Sequence, residues 1–216
     1  MSFTNVSEDD DFDVNAITSN MKKCMAKNGC LYLDPYISAY HDIHKLLVRL
    51  GPVFVPLAHD VLQKLLQLDC LRKGGAGTSY ATVEGMIEFE TAGGELGGGD
   101  IGGGGCRLLV RLHRNLEFVS EFLRELSHTP DEERLSAGCQ AAYRRTLAAH
   151  HPWLAQKAAL LAMYALGTRG ETLLKLGTPS ALHGDDMGLS QCADLLREVH
   201  GQTQQLLEAH RLTELA

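Results

Sequence analysis

The chain has 216 residues, 44% of them hydrophobic and 22% charged, a balance that suits one folded domain and excludes a mostly disordered or collagen-like polymer. Its formal net charge is −7 with histidines neutral, which speaks against a general nucleic-acid binder, because neutralising phosphates takes surplus Lys and Arg. No apolar stretch approaches the length of a membrane span, so any membrane contact is expected to be peripheral.

The N-terminal stretch MSFTNVSEDDDFDV is acidic and has neither the basic start nor the apolar run of a secretory signal. Residues 1–12 read as a disordered acidic tail, and 13–216 as a single domain of a cytosolic protein. A domain of this size buries enough surface to need no disulfide or metal staple. The cysteines at 24, 30, 70, 106, 139 and 192 form no C-x-x-C pair, so reduced thiols are expected rather than a zinc or redox motif.

From Asp13 onward apolar residues recur at three and four, as in Ile43, Leu46, Leu47, Leu50 and again in Leu57, Val61, Leu62, Leu65, Leu66. That is a helical period, and no alternating strand pattern competes with it. Helices are expected at about 13–27, 34–49, 53–72, 79–91, 106–127, 131–150, 152–166, 169–176 and 186–211. Asp34-Pro35 and Thr129-Pro130-Asp131 read as helix starts, Gly51 and Gly167 as ends. The fold class is therefore all-α.

One segment breaks the pattern. GGELGGGDIGGGG at 93–105 is too rich in glycine to order as a helix and reads as a flexible loop. Gly97, Gly99 and Gly102 satisfy G-x-G-x-x-G, but without a preceding strand or a βαβ context this is low complexity, not a dinucleotide site. No cofactor and no metal are implied.

Three polar constellations interrupt apolar helical stretches. Asp60 and Lys64 in VPLAHDVLQKLLQL are four apart and share a helical face; by spacing alone they read as a surface ion pair of small energetic consequence. In CRLLVRLHRNLEFV, Arg107, Arg111 and Arg114 form a stripe with only Glu117 nearby. The stripe is either a solvated face or a positive patch that an anionic ligand would satisfy. In LAAHHPWLAQKAALLAM, Pro152 separates two helices and places His151 at a junction, while Trp153 is the single tryptophan. A junction histidine is commonly structural, and the indole suits either a core or a membrane interface.

In chain order, LDPYISAY, DVLQK, CRLLVRLHRNL, LAAHHPW and LLEAHRLTEL together resemble the glycolipid transfer protein family over about residues 30–215, and within it the branch that handles ceramide-1-phosphate. The resemblance implies a two-layer helical sandwich enclosing a hydrophobic lipid pocket, with a head-group site at its mouth. It implies that Asp60 takes the ceramide amide N–H and His151 the amide carbonyl. Arg111 stands where sugar-binding members have a stacking tryptophan, and Lys64 where they have an asparagine. With Arg107 they make a phosphate set, since a guanidinium fork suits phosphate as a flat ring suits a sugar.

Two differences accompany the match: the loop before the arginine stripe carries Glu95 and Asp100 instead of basic residues, and Gln156-Lys157 follow Trp153 where paired arginines are expected. The function implied is transfer of ceramide-1-phosphate or a related sphingolipid between membranes by a monomeric, non-enzymatic carrier, with Trp153 as a membrane contact. A glycosphingolipid carrier and a lipid-gated sensor are the alternatives. An enzyme is disfavoured because no activated nucleophile or metal-ligand spacing accompanies Asp60 and His151.

Overall fold

The computed structural model describes residues 12–25, 29–52, 54–93, 104–177 and 186–215. Among them are nine α-helices: α1 (Val14–Cys24), α2 (Leu33–Arg49), α3 (Val55–Lys73), α4 (Val83–Ala92), α5 (Gly105–His128), α6 (Ser136–Thr146), α7 (Trp153–Tyr164), α8 (Arg169–Lys175) and α9 (Asp186–Ala209). Short 3-10 turns lie at Ser79–Ala81 and Ala148–His150, and extended pairing is confined to isolated bridges such as Tyr32 with Thr82. The all-α class expected from the periodicity is the one observed. Residues 1–11 of the expected tail, and 94–103 of the expected glycine loop, fall outside the described residues; Phe12 is buried in the core.

Contacts close a ring of five helices, α5–α9–α1–α2–α3 and back to α5, with α4 and α6 against α5 and α7 against α6. The apolar recurrence explains the ring: Tyr36, Tyr40, Ile43, Leu46 and Leu47 of α2 and Val61, Leu65 and Leu68 of α3 all point into it. α5 buries sixteen of its 24 residues, while a charged stripe running from Arg107 through Arg111, Arg114 and Glu117 to Glu121 and Arg124 stays outside the core. Two of its buried polar groups are bonded across helices. Ser120 Oγ donates to the Ala193 carbonyl at 2.8 Å, and the Tyr40 hydroxyl donates to the Leu112 carbonyl.

The start of α5 depends on glycine. The buried Glu90 carboxylate accepts the backbone N–H of Gly105 and, at 3.0 Å, of Cys106, and takes the Tyr80 hydroxyl at 2.6 Å. It supplies acceptors for helix N–H groups that have no partner within the helix. A Cβ on Gly105 would meet Met86 Sδ at 2.5 Å and Tyr80 Cε1 at 2.8 Å. So the last glycine of the run belongs to a close-packed helix start.

Two of the expected helices are reshaped. The helix expected from 131 begins at Ser136, because 131–134 instead pairs with the start of α8. The Asp131 and Glu133 carbonyls accept the Gly170 and Arg169 N–H groups, and Arg169 ion-pairs with Asp131. Its far end is cut at Thr146 by the turn Ala148–His150. The helix expected over 79–91 splits into a 3-10 turn and α4, where Thr82 breaks the helical backbone and accepts from the Gly85 N–H at 3.1 Å.

Candidate functional site

Two cavities adjoin where α3, α5, the α6–α7 junction and α7 meet. The first, about 320 Å³, is lined by Asp60 and Lys64 of α3, Arg111, Arg114 and Asn115 of α5, and Leu147, His150 and His151 of the junction. The second, about 440 Å³, is apolar: Pro52, Phe54, Pro56 and Leu57 form one side, Phe118, Tyr143 and Leu147 the back, and Ala155, Ala158, Ala159, Ala162 and Met163 the α7 wall, with His151 at the edge. Leu147 and His151 line both. The apolar space therefore adjoins the polar one along these two side chains.

Helical spacing builds the polar wall. Arg111, Arg114 and Asn115 stand at i, i+3 and i+4 on α5, opposite Asp60 and Lys64 at i and i+4 on α3. Lys64 ion-pairs with Asp60 and is itself 8% exposed, whereas the Asp60 side chain is 59% exposed. The pair holds a buried ammonium in place and leaves carboxylate surface exposed. Three cations, Lys64, Arg111 and Arg114, face one carboxylate, so the cavity is net positive and fit for an anion. Arg114 is anchored by a 2.8 Å hydrogen bond to the Thr213 carbonyl, which ties the C-terminal segment to this wall.

His151 is oriented by Tyr143, whose hydroxyl lies 2.8 Å from Nδ1. Burial pushes the imidazole pKa below its ordinary value, with the neighbouring His150 and Lys64 acting in the same direction and Asp60 against it. A neutral ring that accepts the Tyr143 hydroxyl at Nδ1 keeps its N–H at Nε2, a donor for a ligand oxygen. Gln156 fixes the junction from behind, donating to the carbonyls of Ala148 and His151, each at 2.9 Å.

Of the residues singled out in the sequence, Asp60, Lys64, Arg111 and His151 come together in one cavity. Arg107 does not line it: it sits half-buried one turn earlier on α5, about 6 Å along the axis at 1.5 Å per residue. Trp153 also lies outside both cavities, 69% exposed at the start of α7, with Lys157 Nζ 5.7 Å from its ring centre. Sequence reasoning noted Arg114 only as part of a stripe and did not single out Asn115, His150 or Tyr143. Arg114 carried a signal, its spacing from Arg111; Tyr143 is eight residues from His151 and meets it only because the junction folds back.

Residues 31–178 match the glycolipid transfer protein family. Among curated relatives, ceramide-1-phosphate transfer protein of Rattus norvegicus is 29% identical, covering 95% of this chain and 97% of the relative. The Homo sapiens protein of that name is 28% identical over 94% and 96%. Among solved structures, the apo form of mouse ceramide-1-phosphate transfer protein superposes with a TM-score of 0.88 at 28% identity, covering 95% of this chain and all of that one. The human protein in complex with 2:0 ceramide-1-phosphate superposes with a TM-score of 0.85 at 28% identity over the same shares. The fold, the adjoining cavities and the match over most of the chain lead to one assignment: it belongs to the glycolipid transfer protein family.

Proposed function

We propose that the protein carries ceramide-1-phosphate, or a closely related phosphosphingolipid, between membranes without chemically changing it. The observation that carries this reading is the shared edge at Leu147 and His151, where a net-positive cavity adjoins an apolar one. In this reading Lys64, Arg111 and Arg114 take the phosphate, and Arg107 adds positive field from one turn away. The Asp60 carboxylate accepts the amide N–H, and His151 Nε2–H donates to the amide carbonyl. The hydrocarbon leaves through the shared edge into the apolar space.

The energetics suit a carrier. A buried methylene contributes about 0.8 kcal/mol, so a chain of roughly sixteen carbons would lose about 12 kcal/mol in water. Hydrocarbon passing from bilayer to protein moves between apolar surroundings and leaves selection to the polar end. There, hydrogen bonds to charged groups contribute about 1.5–3 kcal/mol each. No described helix is long and apolar enough to cross a membrane. Contact with the bilayer, in this reading at its cytosolic face, falls to the outer face of α7, where Trp153, Leu154, Leu161 and Tyr164 are exposed.

A sugar head group fits less well, because among the described residues no aromatic ring other than histidine lines the polar cavity. The test is competitive transfer between vesicles. Ceramide-1-phosphate is expected to move much faster than galactosylceramide, and Asp60→Val to abolish that movement while the protein stays helical. Faster galactosylceramide transfer would reverse the assignment. Saturable ceramide-1-phosphate binding without transfer would make the protein a sensor.

A further inference from the structure

The residues of α7 that face the apolar cavity are Ala155, Ala158, Ala159 and Ala162, followed by Met163. The alanines fall at i, i+3, i+4 and i+7, one face of a helix. The other face carries Trp153, Leu154, Leu161 and Tyr164, between 67% and 74% exposed. A helix that merely completes a core turns its large apolar side chains inward, where they fill space to crystal-like density. α7 has the reverse size order, so methyl groups border a space that leucines at the same positions would occupy.

This face also has a direction. Ala155 and Ala158 are exposed and Ala159 is half-buried, while Ala162 is 6% and Met163 3% exposed. With His151 at the edge shared with the cationic cavity, the alanines run from the head-group end to a closed floor. Leu57 and Phe118 bound the space on the far side, and the void behind them, against Tyr40 and Ile43 of α2, is only about 10 Å³. Hydrocarbon cannot pass there without repacking the core. A methylene needs about the room of a water molecule in the liquid, roughly 30 Å³, so the 440 Å³ cavity takes one chain of about fifteen carbons.

Resting on the carrier reading, we infer that the alanine face of α7 is a length gauge, with Ala159, Ala162 and Met163 fixing which hydrocarbon the protein carries. A chain matching the cavity is buried to its end. A longer one leaves methylenes in water or forces Leu57 and Phe118 apart, and a shorter one leaves an unfilled void.

Transfer of ceramide-1-phosphate with acyl chains of eight, twelve, sixteen and twenty-four carbons, measured with the full chain, tests this. The wild-type rate is expected to peak at sixteen. Ala159→Leu adds three carbons to the wall and displaces about three methylenes, and should lower the ratio of sixteen-carbon to eight-carbon transfer about fiftyfold. Met163→Ala should move the peak toward longer chains. Ala158→Leu, at an exposed position that the fold tolerates, should repeat the Ala159→Leu shift, and circular dichroism verifies helicity in each variant. A folded variant whose rates fall equally at all lengths, or whose profile is unchanged, overturns the gauge and leaves the carrier reading intact. Wild-type protein that moves no ceramide-1-phosphate of any length overturns both.

Discussion

α5 lines both cavities and α7 the apolar one alone, and the two helices are packed in opposite ways. α5 has sixteen of 24 residues buried and touches α3, α4, α6 and α9; α7 has only Ala162 and Met163 buried and packs mainly on α6. Arg111, Arg114 and Asn115, which line the polar cavity, stand on the tightly held helix, and the alanines that line the apolar cavity stand on the loosely held one. A fork of hydrogen-bond donors loses selectivity when it is misplaced by an ångström, so recognition gains from a rigid support. An apolar sleeve only has to exclude water, and must open for its cargo, so weak packing serves it.

The largest effect is therefore expected on α5 and its partner α3. Replacing Lys64 and Arg111 together by leucine removes two charge-assisted contacts of about 1.5–3 kcal/mol each, at least about a hundredfold in affinity for ceramide-1-phosphate. Affinity for uncharged ceramide should change little. Equal loss for both lipids in a binding titration would mean that these residues hold the wall together and do not read the phosphate.

How far this contrast could be read from the sequence depends on the range of the interactions. Asp60 with Lys64, and Arg111 with Arg114, are legible because helical spacing puts them on one face whatever the rest of the chain does. The hydrogen bond from Arg114 to the Thr213 carbonyl spans 99 positions, and the Gln156 bonds to Ala148 and His151 need the junction to turn back. Neither leaves a local pattern. The late start of α6 has the same origin, since Asp131 and Glu133 are engaged by Arg169 and Gly170 of another helix. The cavity beside the α7 alanines leaves no mark in their own sequence, because it is bounded by Leu57 and Phe118 as much as by α7.

The rigidity of α5 has a pH dependence of its own. His113 stacks face to face on His200 of α9, ring centres 3.9 Å apart, and its Nε2 lies 2.7 Å from Gln204 Oε1. Burial, with smaller contributions from His200 and Arg114, lowers the His113 pKa to about 4, and burial lowers that of His200 too. Above pH 6.5 both states leave the ring neutral and nothing is lost. Between 6.5 and 4 the unfolded chain binds a proton that the folded one refuses, so stability falls with pH, by about 3 kcal/mol in total for His113. Denaturant midpoints measured from pH 7.5 to 4.5 should drop less in His113→Gln than in wild type. Identical drops would show that His113 is protonated in the folded state as readily as in the unfolded one.

The smallest effect is expected at the outer face of α7. Trp153 is 69% exposed, has Lys157 Nζ 5.7 Å from its ring centre and lines neither cavity, so truncating it should leave the fold and the bound lipid's contacts in place. What Trp153→Ala removes is an amphipathic ring suited to the bilayer interface. Transfer should slow by about two- to fivefold through weaker vesicle binding, while the affinity for ceramide-1-phosphate in detergent solution stays the same. A fall in that affinity would place the indole in the site, and unchanged transfer with unchanged vesicle binding would move the membrane contact to another surface. Because α7 carries the cavity wall on one side and these exposed residues on the other, seating the outer face in a bilayer brings the alanine sleeve within a helix diameter of the lipid tails, about 10 Å.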